Sequence, residues 1–190
     1  MRAALASLLA AILLAGCAAL PGHPLAARDQ ISNFALEARF ALRISLPGQA
    51  EQSSGGRLSW VQKNGNSRLL LSSPLGYGLA EIESTPGHAI LRMANSETRE
   101  SSDPDALMEE VSGQPLPVSR LPAWLLGHGA GQTTIERDPL GRPQHLEEAG
   151  WRVDYAYDND AADALPARLT LNRDDQIELR LRIEEWRDAP

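Results

Sequence analysis

The chain of 190 residues contains one cysteine, Cys17, one lysine, Lys63, and only 5% aromatic residues. A single cysteine excludes an internal disulfide, so a folded domain here must rest on its apolar core. Acidic residues outnumber basic ones by 25 to 18, for a net charge of −7. That balance argues against nucleic acid as a partner and against a polybasic surface that grips anionic lipid. Chemistry-bearing clusters are missing as well. His23, His88, His128 and His145 are scattered, with no partner at metal-ligand spacing. Asp158-Asn159-Asp160 lacks the glycine and distal glutamate of a calcium loop, and Gly127, Gly129 and Gly131 lack the strand and helix that a dinucleotide fingerprint needs. Glu109-Glu110, Glu147-Glu148 and Glu184-Glu185 are adjacent in sequence, which points the members of a pair apart on a strand and makes them solvated surface, not a catalytic dyad. No catalytic residue, metal or cofactor is expected, and the chain reads as a non-enzyme.

No apolar run reaches the about 20 residues that span a bilayer as a helix. The run from Ala3 to Leu14 follows Met1 and Arg2 and ends at Leu14-Ala15-Gly16-Cys17, the layout of an export signal whose end resembles the lipobox of bacterial lipoproteins. Residues 1–16 are therefore expected to be a cleaved signal peptide and Cys17 the lipidated residue. Removing Arg2 with the signal makes the net charge one unit more negative. One acyl chain holds a protein to a membrane marginally, whereas two or three hold it stably. Ala18 to Ala27 is small, Pro/Gly-containing and unpatterned, which suits a tether over 17–27 ahead of a single domain over 28–190.

Within that domain a short helix is expected over Arg28 to Leu36, after which the period changes to two. Phe40, Leu42, Ile44 and Leu46 alternate with Arg39, Ala41, Arg43 and Ser45, the pattern of a strand with one dry face. Leu58 and Trp60 follow in the same way, and the Asn64-Gly65 pair is a strong hairpin signal. Further strands are expected over 67–73, 79–83, 88–93, near Thr98, over 133–137, 144–148, 151–157 and 165–171, and from Ile177 to Trp186. Two helices interrupt them, one capped by Asp103-Pro104 and stopped by Gly113, the other over Ser119 to Leu126. About eleven antiparallel strands with short connections exceed what a flat sheet holds. The fold class is mainly β, a strongly curved antiparallel sheet forming a half-open barrel. Its concave face would carry Phe40, Leu42, Leu58, Trp60, Leu69, Leu71, Trp151, Val153, Leu179 and Leu181, with Trp124 reaching it from the second helix. Alternation leaves two readings of that interior, a solid core and a cavity.

Ser73-Pro74-Leu75-Gly76-Tyr77-Gly78 is the segment that departs from ordinary loop chemistry, since a leucine and a tyrosine sit between turn-forming residues; two readings are open, Leu75 facing solvent as a bilayer probe or folding back onto the core. Together with Arg39-Phe40-Ala41, Leu58 to Trp60, Arg68 to Leu71 running into Pro74-Leu75-Gly76, Pro86-Gly87, Gly113 to Pro117, Trp124 to Gly127, Trp151 to Tyr155 and Ile177 to Trp186, it gives the chain an order and spacing that resemble the LolB family of outer-membrane lipoproteins. The resemblance implies a half-open barrel with a helical lid over a hydrophobic cavity. It implies a monomer that accepts lipoprotein acyl chains from a LolA-like periplasmic carrier and inserts its cargo into outer-membrane lipid from the periplasmic face. The membrane-active leucine of the family's protruding loop corresponds to Leu75, flanked by Pro74 and Gly76; Tyr77 departs from the small polar residue expected there. Ala18 lacks the aspartate that marks inner-membrane retention in some bacteria. The competing reading is a structural or assembly lipoprotein of the envelope with a solid β core.

Overall fold

Short, locally encoded turns dominate the computed structural model, which describes residues 28–190; the expected signal peptide, Cys17 and the tether lie outside the described residues. Asn64 and Gly65 both take positive φ, 53° and 79°, the mirror-image turn whose twist matches two paired strands. They join β2 (Gln52–Lys63) to β3 (Asn66–Ser72). The other strands are β1 (Phe34–Ile44), β4 (Gly78–Thr85), β5 (His88–Met93), β6 (Thr98–Ser101), β7 (Thr134–Arg137), β8 (Pro143–Glu148), β9 (Trp151–Ala156), β10 (Arg168–Arg173) and β11 (Ile177–Arg187). All eleven form one antiparallel sheet in the order β6-β5-β4-β3-β2-β1-β11-β10-β9-β8-β7. The sheet does not close, and β6 and β7 are its edges.

The register places apolar side chains opposite one another on one face. Phe40 faces Leu181 and Leu42 faces Leu179 across β1 and β11, Leu58 faces Leu71 and Trp60 faces Leu69 across β2 and β3, and Val153 faces Leu171 across β9 and β10. A single buried cluster takes in both Leu91 of β5 and Leu146 of β8, strands near opposite ends of the order. The sheet therefore curls around one shared core.

The connection between the two edge strands supplies the helices α1 (Pro104–Ser112) and α2 (Leu121–Leu125). Asp103 caps α1 by accepting from the Asp105 amide at 2.9 Å, and Gly113 ends it in the left-handed conformation, φ 68°. Helix α2 is shorter than the expected span because Ser119 is engaged elsewhere: its amide and hydroxyl donate to the Asp105 carboxylate at 2.8 and 2.6 Å. Leu107, Leu116, Val118, Leu121, Trp124 and Leu125 of this segment join the buried cluster.

The expected helix over 28–36 is corrected to a single 3-10 turn, Arg28–Gln30, with β1 starting at Phe34. Period-two burial extends further back than the sequence suggested: Phe34, Leu36 and Ala38 are all buried, and Phe34 meets Trp186 edge to face, 5.5 Å between ring centres. The strand expected over 165–171 is shifted to start at Arg168. Pro166, which cannot donate to a ladder, instead accepts at its carbonyl from the Trp186 indole at 3.0 Å.

Candidate functional site

On the concave side lies an apolar cavity of about 290 Å3. Its walls come from the dry face of the sheet: Phe40, Leu42, Leu58, Trp60, Leu69, Leu71, Leu79, Ala80, Leu91, Trp151, Leu171, Leu179 and Leu181. Met108, Leu116, Pro117, Val118 and Leu121 of the helical segment also line it, and Ser54 and Gly55 complete the lining. Among the described residues no charged side chain lines it. Such a space offers dispersion and desolvation to a ligand but no directed polar contact. A wider depression of about 770 Å3 is lined by Glu147, Glu148, Asp174, Asp175, Arg152 and polar neighbours, which does not suit an alkyl chain.

The structure brings together most of the residues expected on the cavity wall. Trp124 and Val153 are set apart. Val153 is fully buried between its cross-strand neighbours Leu146 and Leu171, and Trp124 turns its indole away toward Glu148. The alternation signal could not reveal the covering residues Met108, Leu116, Val118 and Leu121, since they face the cavity only because the segment folds back over the sheet.

Glu148 overturns its assignment to solvated surface. It is only 5% exposed, at the end of β8, where it gathers the helical segment. Its carboxylate accepts from Trp124 Nε1 at 3.0 Å, the Ala130 amide at 3.1 Å and Thr133 Oγ1 at 3.0 Å, and pairs with the Arg120 guanidinium. Burial pushes its pKa up, but these hydrogen bonds and Arg120 outweigh burial and hold it below the ordinary value. The Tyr155 hydroxyl adds a 2.7 Å bond to the Trp124 carbonyl, and burial pushes that phenol up.

At the mouth of the cavity, Leu79 is both part of the lining and 45% exposed. It follows the β3–β4 loop, in which Leu75 is 84% and Tyr77 71% exposed. The loop is held by its own bonds: the Gly76 amide donates to the Ser73 carbonyl at 2.9 Å, the Ser73 amide to the Tyr77 carbonyl at 2.8 Å, and the Tyr77 amide to Ser73 Oγ at 3.1 Å. Leu75 therefore does not fold back on the core. At the base of the loop, Gly56 of β2 sits so close to β3 that a Cβ there would lie 2.1 Å from the Ser72 carbonyl oxygen.

The family model described as "Outer membrane lipoprotein LolB" matches residues 32–186. The chain belongs to the LolB family. A protein from Dechloromonas aromatica (strain RCB) named Outer-membrane lipoprotein LolB is 58% identical over 190 residues, covering 100% of both chains. Another of that name, from Halorhodospira halophila, is 35% identical over 96% of this chain and 93% of its own. Among solved structures, a LolA superfamily protein from Nitrosomonas europaea matches this LolB-family fold with a TM-score of 0.52 at 16% identity, over 86% of this chain and 91% of that one. That likeness is one of fold alone.

Proposed function

We propose that the protein is the outer-membrane acceptor of lipoproteins: it takes their acyl chains from a LolA-like periplasmic carrier into the apolar cavity and passes the cargo to the membrane through the Leu75 loop. The observation that carries this reading is the continuity between an uncharged cavity and an exposed apolar loop, linked at Leu79, in a chain of the LolB family. Cleavage of 1–16, lipidation of Cys17 and a tether over 17–27 would moor the acceptor at its target membrane.

The energetic need is large. Three chains of about sixteen carbons at roughly 0.8 kcal/mol per methylene represent on the order of 30–40 kcal/mol of exposure to water. A protein interior must replace the bilayer throughout the transfer. The cavity of about 290 Å3 sits at the low end of small-molecule pockets, roughly 300–1,000 Å3, and three such chains exceed it. Receipt then requires the covering segment to act as a lid that withdraws from the sheet. The solid-core alternative fits less well, because its interior would be filled where this one leaves apolar space.

The test is transfer itself. The purified protein should strip a lipoprotein from a loaded LolA-like carrier, and Leu75→Glu should leave this receipt intact while delivery into liposomes collapses. Failure to receive cargo from the carrier would overturn the acceptor reading; undiminished delivery by Leu75→Glu would remove the loop from it.

A further inference from the structure

On the outer face of the sheet, Arg39 stands directly opposite Arg57 on one side and Arg182 on the other, and Arg182 in turn stands opposite Arg168. Four arginines thus occupy one register row across the adjacent strands β2, β1, β11 and β10. At about 4.8 Å between strands they span roughly 14 Å. Like charges set opposite one another destabilise a sheet, so the fold itself gives no reason for the row. Only its alternate members are neutralised. Arg39 pairs with Glu184 at 2.6 Å and Arg168 with Asp158 at 3.3 Å, whereas Arg57 and Arg182 have no carboxylate partner among the described residues. All four side chains are exposed.

The row begins at the loop. Arg57 pairs in register with Ser72, the last residue of β3, and Arg39, Arg57 and Pro74 line one shallow surface depression together with Gly55 and Gly56. An exposed leucine and tyrosine therefore lie beside a stripe of arginine on a chain whose net charge is −7.

We infer that this arginine row is a docking surface for the phosphates of anionic membrane lipid, which orients the protein so that the Leu75 loop meets the bilayer. The inference rests on the reading of that loop as a membrane probe. An acidic protein is repelled by an anionic surface as a whole, so a local basic stripe beside the apolar tip selects the one orientation in which approach is favourable. Guanidinium groups suit the task because each can bind phosphate oxygens through two parallel N–H donors. This departs from the expectation drawn from net charge, since the register concentrates arginines that the sequence scatters.

The test uses the full mature chain carrying Cys17→Ala, so that an acyl anchor does not dominate binding. Co-sedimentation is measured with vesicles of phosphatidylcholine alone and with added phosphatidylglycerol. Phosphatidylglycerol should strengthen binding, and about 1 M salt, where the screening length is about 3 Å, should abolish the gain. Arg57→Gln with Arg182→Gln should weaken binding to the anionic vesicles by roughly 10- to 30-fold, about five-fold for each arginine, and leave binding to phosphatidylcholine unchanged; Arg57→Lys with Arg182→Lys should retain most of the gain. Equal binding by the glutamine variant and the parent would overturn the proposal. So would a glutamine variant that binds vesicles normally but receives lipoprotein poorly from the carrier, which would assign the row to an anionic protein. Leu75→Glu separates the two readings, because loss of the loop's role should weaken binding to both kinds of vesicle while the phosphatidylglycerol gain persists.

Discussion

The indole N–H of Trp124 donates a 3.0 Å hydrogen bond to the buried carboxylate of Glu148, joining helix α2 to the end of strand β8. Trp124→Phe keeps an aromatic side chain but removes this donor together with the pyrrole half of a fully buried indole, so a cavity cost adds to the lost hydrogen bond. Leaving a buried carboxylate short of one partner costs about 1–3 kcal/mol, to be read as a lower urea midpoint. Combined with Glu148→Gln, the two losses should be less than additive, because both act on one cluster.

The same cluster makes stability depend on pH. The Glu148 pKa is lowered in the folded protein from an ordinary value of 4.5, so the group stabilises the fold above that value, and its contribution is lost as pH falls through the folded value. Urea midpoints measured from pH 7 down to pH values below about 4 should fall more steeply for the wild type than for Glu148→Gln. Parallel curves would show that the cluster carries no such linkage.

Gly56 permits the close approach of β2 to the end of β3. Gly56→Ala would place a methyl 2.1 Å from a backbone oxygen, so strand or loop must shift, at a cost of about 1–3 kcal/mol. Gly78→Ala, at the far side of the same loop, meets nothing within 4 Å and should change stability by no more than about 0.5 kcal/mol. Thermal unfolding of the two variants provides the comparison.

Ala80 lies in the cavity wall, opposite Leu71 and Met93 in the sheet. Ala80→Trp should fill space that an acyl chain would use and lower affinity for a fluorescent fatty-acid analogue about ten-fold or more, equivalent to at least ~1.4 kcal/mol. Unchanged affinity in a variant with an unaltered fold would place the ligand elsewhere.

What could be read from the sequence was what neighbours in the chain encode. The Asn64-Gly65 turn, the Asp103 cap and the Gly113 stop act over a few residues, and the alternation of Phe40 with Leu42 or of Leu179 with Leu181 fixes a face without reference to any partner. Glu148 was misassigned because its burial depends on Arg120, Trp124, Ala130 and Thr133, which return to β8 only after the helical segment folds over. The arginine row was invisible for the same kind of reason. Arg39 and Arg182 are far apart in the chain, and only the register of β1 on β11 sets them opposite one another.

That central pairing also has a consequence for how the protein comes into being. The strands β1 to β6 and β7 to β11 are two meanders that hairpins can assemble locally, but the seam joining them is made by β1 and β11, the first and last described strands in chain order. Contacts so distant in sequence form slowly. Until β11 pairs with β1, the early meander keeps one long edge open and the sheet encloses no shared interior. The shared core is complete only when β11 has joined β1.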